Sequence, residues 1–305
     1  MTAVSIRTVQ DVAGLDAVSA YFGEVWRTPP TAPPYPAEVL RSLVHTGGAV
    51  HAAHEGDRLT GAAVAVFGAP AAKEAYSLVA AAEPGRGQLV KQAQRAWALG
   101  LGARSMRWTF DPLVARNARF NLVKLGATGT EYVVDFYGPM TDGVNAGDES
   151  DRLTATWDLT ARGRPYESGT RPYDSGTRLY ESGDRAHELG DRPSDLGDRP
   201  SDLGDRPSDL GDRPSDLGER EAAPATHRGP DGATLARRDL SDLRIWCRVP
   251  DDVVKLRAAD PELALRWRRA VREVFTEAFA QGFRATGMSR DGWYTLTRNT
   301  GEGAA

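Results

Sequence analysis

The sequence predicts an α/β domain: a mixed central sheet flanked by helices, interrupted by a long insertion and completed by a C-terminal segment. Three observations carry this. Short β-rich runs alternate with amphipathic helical runs over residues 4–160, heptad repeats fill 164–219, and strand, helix and hairpin signals resume after residue 236. The predicted organisation is therefore 1–160 for the main domain, 161–235 for a low-complexity linker and 236–305 for a strand–helix–hairpin segment that docks on the same domain.

In chain order, VSIRTV (4–9) reads as a strand. Asp11 caps the helix that follows, in which Leu15, Val18, Phe22, Val25 and Trp26 recur at helical spacing. TPPTAPPYP is a stiff connection, because each proline fixes its own φ and biases the residue before it. AEVLRSLVHTG is a short helix stopped at Gly47-Gly48. AVHAAHEGDRLTGAAVAVFGA is a hairpin turning at Glu55-Gly56-Asp57. AYSLVAAA is a strand, GQLVKQAQRAWALGLGA a helix, SMRWTF a strand, ARNARFNLVKLGA a helix, and TEYVVDFYG and DRLTATWDL strands. Beyond the repeat, LRIWCRV is a strand, Asp260-Pro261-Glu262 opens a helix ending at Gly282, and a last hairpin turns at Asp291-Gly292.

The repeat itself is eight heptads that each begin with Arg, such as RPYESGT and RPSDLGD. The period tempts a coiled-coil reading, but the units hold Gly, often Pro, and about one large apolar residue. A helix interior loses about 1 kcal/mol per Gly and about 3 kcal/mol per Pro, and a seam needs two apolar positions per heptad. A disordered linker is the expectation. Two heptads are neutral and six carry one net negative charge, in a chain whose total is −4, so the acidity belongs to the repeat. No concentrated basic stripe predicts a nucleic-acid partner. No apolar run approaches the roughly 20 residues of a membrane span, and the first residues lack the pattern of a secretory signal. A single cysteine, Cys247, allows neither an intrachain disulfide nor a thiolate cluster. His51 and His54, three apart in a strand, face opposite ways, so no metal site is expected. A cytoplasmic protein is the resulting expectation.

Chemistry is expected where AYSLVAAA meets GQLVKQAQRAWALG. A glycine turn between strand and helix leaves backbone N–H groups free at the positive end of the helix, where a diphosphate binds. Gly85 and Gly87 are the candidates, with Arg86 between them.

This succession of elements, with AEPGRGQLVKQAQRAWALGLGARSMRWTFDPLVARNARFNLVKLGA at its centre, resembles the GNAT superfamily of acyl-CoA-dependent N-acyltransferases over residues 4–160. The resemblance implies acetyl-CoA or another acyl-CoA as co-substrate and a small-molecule amine as acceptor. The strand from Leu78 to Ala81, Val79 and Ala81 included, would offer main-chain groups to the pantetheine arm. A backbone N–H near Val79 or Ala80 would polarise the acyl carbonyl. Gly85, Arg86, Gly87 and Gln88 would hold the diphosphate, and Asn117 would lie near the arm. The position where the family often has a tyrosine acid is Leu122, so Tyr137 or Tyr132 is a substitute by type only. Glu24, Glu83, Asp111 and Asp135 are candidate bases, with Asp111 at the Asp-Pro exit of a strand. Two readings stay open: an acyl-CoA-dependent N-acetyltransferase, with Asp111 and Tyr137 as catalytic candidates, or a catalytically degenerate GNAT-like domain that binds CoA or a protein partner. Self-association as a homodimer is compatible with either.

Overall fold

A computed structural model describes residues 4–161 and 227–298. The heptad repeat and its predicted disorder lie outside the described residues. The described residues form one sheet of twelve strands in the order β1-β2-β3-β4-β5-β7-β6-β11-β12-β10-β9-β8. In chain order the N-terminal part runs β1 (Val4–Thr8), α1 (Val12–Trp26), α2 (Ala37–His45), β2 (Ala49–Glu55), β3 (Arg58–Phe67), β4 (Glu74–Ala82), α3 (Gly87–Gly100), β5 (Ser105–Phe110), α4 (Ala115–Arg119), β6 (Thr128–Val133) and β7 (Arg152–Asp158). The sheet is antiparallel except for β4 against β5, which are parallel because α3 crosses over between them. The mixed, helix-flanked sheet predicted from the sequence is the architecture observed.

Helices cover both faces of the N-terminal half. On one face, Leu15, Val18 and Phe22 of α1 and Leu40 of α2 pack on Val50, Ala52, Ala62, Val64 and Val79. Asp11 starts α1 by accepting the Gly14 amide at 2.8 Å. On the other face, Val90 of α3 meets Ala53 and Ala63. Further along, Ala98 and Ala118 join the larger core with Met106, Trp108 and Leu153.

The C-terminal part adds β8 (His227–Arg228), β9 (Thr234–Arg238), β10 (Arg244–Arg248), α5 (Val253–Ala259), α6 (Pro261–Ala280), β11 (Arg284–Met288) and β12 (Trp293–Thr297). Here β8, β9 and α5 differ from the sequence prediction, which assigned residues up to 235 to the linker. Each is short, and each is fixed by long-range or capping contacts. Arg248 of β10 grips Asp231 between β8 and β9 at 2.7 and 2.9 Å, and Asp252 caps α5 through the Lys255 amide. The units β5-α4-β6-β7 and β10-α5-α6-β11-β12 share one strand arrangement: a strand, a helical connection (two helices in the second unit), then a hairpin whose second strand pairs back on the first. They meet edge to edge, antiparallel, at Gly129 opposite Ala285. Each of these lies three residues past a glycine with positive φ, Gly126 at +73° and Gly282 at +85°. Equivalent positions therefore face one another across a local two-fold axis. The approach is close: a Cβ on Gly129 would stand 2.8 Å from that of Ala285. The ladder contact of β6 with β11 is this single residue pair.

An ion network ties the C-terminal helices to the end of β5. Arg268 of α6 donates to both oxygens of Asp111 at 2.7 and 2.9 Å and to Asp148 at 2.7 Å. Arg257 of α5 reaches the same two carboxylates at 3.2 and 2.8 Å. Buried charges persist only when paired and hydrogen-bonded in this way.

Candidate active site

Strands β4 and β5 pair only at Glu74–Ser105, Ala75–Met106 and Tyr76–Arg107. Beyond that point β4 runs on to Ala82 and β5 to Phe110 unpaired with each other, so the strands fork. At the root of the fork β4 carries a bulge: Ser77 opposes Ala65 and Val79 opposes Val64, leaving Leu78 as the extra residue. A bulge bends its strand and frees main-chain groups from the ladder. The Leu78 carbonyl accepts the Tyr35 hydroxyl at 3.4 Å, and Ala80 is exposed. Val79 and Ala81 pair with β3 and turn their side chains into the α1–α2 cluster. Only main-chain groups of this stretch are therefore on offer at the fork.

The glycine turn follows at the same end of the sheet. Gly85 has a φ of +83°, a conformation that suits glycine. Three described helices begin with an aspartate that consumes an amide: α1, α5 and α6, through Asp11, Asp252 and Asp260. Helix α3 has no side-chain cap. The Arg86 amide donates back to Glu83. Among the described residues no acceptor meets the amides of Gly85, Gly87 and Gln88. Four orphan N–H groups are inherent to a helix start, and a partial positive charge gathers there. The Arg86 side chain lies 3.6 Å from Glu55. Asn117 is exposed on α4.

The root of the fork is occupied on the α3 side by a residue the sequence reading did not single out. Lys91 Nζ donates to Ser77 Oγ at 2.8 Å and stands 3.9 Å from the centre of the Trp108 ring. Ser77 and Trp108 are the first residues of the two strands past the last parallel pair. Lys91 is only 4% exposed, and burial pushes its amine down to about 7. Gln94 accepts from Ser77 at 2.9 Å, while its Nε2 has no partner among the described residues. Asn121 accepts the Trp108 indole N–H at 3.2 Å. It does so from a π-turn, Phe120–Lys124, that continues α4 where a plain helix was expected. A signal for Lys91 existed: it and Gln94 fall on the same stripe of α3 as Val90 and Ala98, where an apolar residue belongs.

Tyr76 and Thr109 alternate with Ser77 and Trp108, so they face the opposite side of the sheet. There Tyr137 Oη and Thr109 Oγ1 are 3.3 Å apart. Burial first, then the neighbouring phenols of Tyr137 and Tyr76, raises Tyr35 to about 12. Tyr137 was expected inside a strand. It lies instead in the β6–β7 loop, because Asp135 turns the chain at a φ of 47° while accepting from the Ser150 amide and hydroxyl.

The candidate carboxylates fare differently from their expectation as bases. Burial raises the Asp111 carboxyl, but Arg268 beside it outweighs this, and the group is held at about 2. Both its oxygens are spent on Arg257, Arg268 and the Leu113 amide. Asp111 is thus an anchor of the ion network, a correction to its reading as a base. Glu83 is paired with Arg58, Asp135 with Ser150, and Glu24 is exposed on α1. Tyr132 donates to Asp151 at 2.7 Å, and Leu122 is buried in the core. Among the described residues no His, Cys, Asp and Glu cluster could hold a metal, and no helix is long and apolar enough to cross a membrane.

No protein-family model and no curated protein matches the sequence. The chain is similar to acetyltransferases of known structure. They include an N-acetyltransferase from Staphylococcus aureus Mu50, at 13% identity over 52% of this chain and 99% of that one with a TM-score of 0.42. An acetyltransferase of the GNAT family from Streptococcus pneumoniae has 12% identity, coverage of 50% and 98%, and a TM-score of 0.40. The ribosomal-protein-S18-alanine N-acetyltransferase of Escherichia coli has 12% identity, coverage of 53% and 97%, and a TM-score of 0.41.

Proposed function

We propose that this chain is an acyl-CoA-dependent N-acyltransferase that moves an acyl group, acetyl in the simplest case, to the amine of a small molecule. One observation carries the reading. Two parallel strands part at a bulge, and the uncapped start of α3 offers the amides of Gly85, Gly87 and Gln88 at the same end. This pairing suits a ligand with a diphosphate and a long, amide-bearing arm. Arg86 adds a positive charge to the turn, and the main chain from Leu78 to Ala81 lines the arm. Asn117 stands on the neighbouring helix. When bound, the thioester supplies the electrophilic acyl group.

The chain's own part is to hold, orient and exchange protons. Lys91 at the root of the fork is the titratable group best suited to the last task. Its Nζ–H changes state near neutral pH, the range in which an acid or base is most effective, and Leu122 cannot supply a proton. Tyr137 and Thr109 close the opposite face, where the acceptor amine enters.

A second reading has its own observation. Asp111, Glu83 and Asp135 are all committed to other groups. A domain that binds CoA without turnover would look the same. Acetyl-CoA should raise the melting temperature of the protein, and free CoA should appear when a panel of amines is added. Stabilisation without CoA release from any amine supports the binding module. Neither stabilisation nor release removes both readings.

A further inference from the structure

The face of the fork opposite Lys91 contains a buried cation with no carboxylate in direct contact. Arg152, on β7, is 6% exposed. Its guanidinium offers five N–H donors. One goes to the Asp151 carbonyl at 2.8 Å and one to the thioether sulfur of Met140, a weak acceptor, at 3.1 Å. The ring of Tyr137 lies over it, 5.1 Å from centroid to guanidinium carbon. Among the described residues no carboxylate stands within ion-pair distance of Arg152. The nearby acids are taken: Asp111 by Arg257 and Arg268, Asp151 by Arg272 and Tyr132. Buried arginines are often matched by a carboxylate in bidentate geometry, whereas the direct partners of Arg152 are a main-chain carbonyl, a sulfur and an aromatic face, with Asp111 acting only through space.

Its surroundings point to what would complete it. Register places Arg152 one step beyond Thr109–Thr154 on the face that carries Thr109. Tyr137 joins the two through its contacts with Thr109 and Arg152. Tyr76 and Tyr35 continue this wall toward the bulge. The wall is aromatic with one guanidinium that sits outside any direct ion pair and feels Asp111 only through space, which suits one carboxylate better than a phosphate dianion.

We propose that Arg152 is the subsite for a carboxylate on the acceptor, so that the acceptor is an amine of the amino-acid class with an aromatic or apolar side chain. This rests on the acyltransferase reading for its amine half and on Arg152 alone for its carboxylate half. The test separates the two. 3-Phenylpropionate, which has the carboxylate and ring but no amine, is titrated into the full chain, and acetyl transfer is compared for L-phenylalanine and its decarboxylated counterpart, phenethylamine. Phenylpropionate should bind to the wild type, and Arg152→Gln should weaken it by about 10–100-fold, the span of a charge-assisted hydrogen bond. Arg152→Lys should restore part of the loss. Phenylalanine should exceed phenethylamine in kcat/KM by a similar factor, a preference that Arg152→Gln erases. Arg152-dependent binding of phenylpropionate with no acetyl transfer would uphold the subsite and remove the enzymatic reading. Equal transfer to both amines, unaffected by Arg152→Gln, would overturn the subsite and leave the enzyme standing. If Arg152→Gln fails to fold, the wild-type preference decides: equal binding or transfer with and without the carboxylate overturns the proposal.

Discussion

The units β5-α4-β6-β7 and β10-α5-α6-β11-β12 have the same strand arrangement and meet across a local two-fold axis, yet only the first borders a fork. The difference lies in the neighbour on the other side. Strand β5 is flanked by β4, reached through the α3 crossover and parallel for three residue pairs before the two strands part. Strand β10 is flanked by β9, antiparallel, with Ile245, Trp246 and Cys247 opposite Arg238, Arg237 and Ala236. A hairpin neighbour can follow its partner, whereas a parallel neighbour tied to a crossover helix is free to diverge. The helices differ in the same sense. α6 runs 20 residues without interruption and is spent on the ion network and the core, while α4 is short and passes into a π-turn that sets Asn121 against Trp108. Connectivity supplies the scaffold, and the bulge, the crossover and the uncapped helix supply the candidate site.

The largest expected effect comes from cutting the tie between the two units. Arg268→Met leaves Asp111 and Asp148 buried with one arginine between them, and should cost about 3–5 kcal/mol in urea unfolding. A loss below about 1 kcal/mol would mean that the network is not what binds α6 to β5. Next comes the two-fold contact. Gly129→Val would drive a branched side chain into Ala285 and Leu153, both within 3.1 Å of its Cβ. Overpacking of this kind costs about 1–3 kcal/mol, and an unchanged melting temperature would contradict the close approach of the units.

The root of the fork gives a pH-dependent effect. Lys91 is lowered from 10.5 to about 7 by burial. Below pH 7 the folded and unfolded chains both hold the proton, so the penalty for a buried ammonium is fully present. Between about 7 and 10.5 the folded chain has released it and the unfolded chain has not, so stability rises with pH, by at most about 1.4 kcal/mol per pH unit. Melting curves across this window should show that rise in the wild type and a flatter response in Lys91→Met. Parallel curves would place the lysine's titration elsewhere. The smallest effect on stability is expected at the turn. A Cβ at Gly87 would stand 3.4 Å from Phe120, at the edge of ordinary contact, so Gly87→Ala should change stability by about 0.5 kcal/mol or less. On the proposed reading it should nonetheless weaken stabilisation by acetyl-CoA, since a Cβ limits how closely a diphosphate approaches the turn.

How much of this was legible in the sequence depends on range. Periodicity and Asp caps are local, so the helices at Val12–Trp26 and Pro261–Ala280 and the hairpins at 49–67 and 284–297 were readable with little error, while the strand expected up to Gly138 stops at Val133. The glycine turn was readable for the same reason. The role of Asp111 was not, because its partner Arg268 is 157 residues away and arrives only when α6 packs on the sheet. Lys91 was hidden differently: one lysine in an amphipathic helix reads as solvated until its position on the apolar stripe is weighed against Val90 and Ala98. Arg152 gave no local signal, since what marks it is the lack of a directly contacting carboxylate in a folded neighbourhood.

Amide resonances of the full chain, followed while acetyl-CoA is added, address the fork most directly. The signals of Gly85, Gly87 and Gln88 should move together with those of Leu78 to Ala81, while those of β9 and β10 stay in place. Saturating acetyl-CoA that leaves the turn and the β4 edge unmoved would contradict the reading of this fork as an acyl-CoA site.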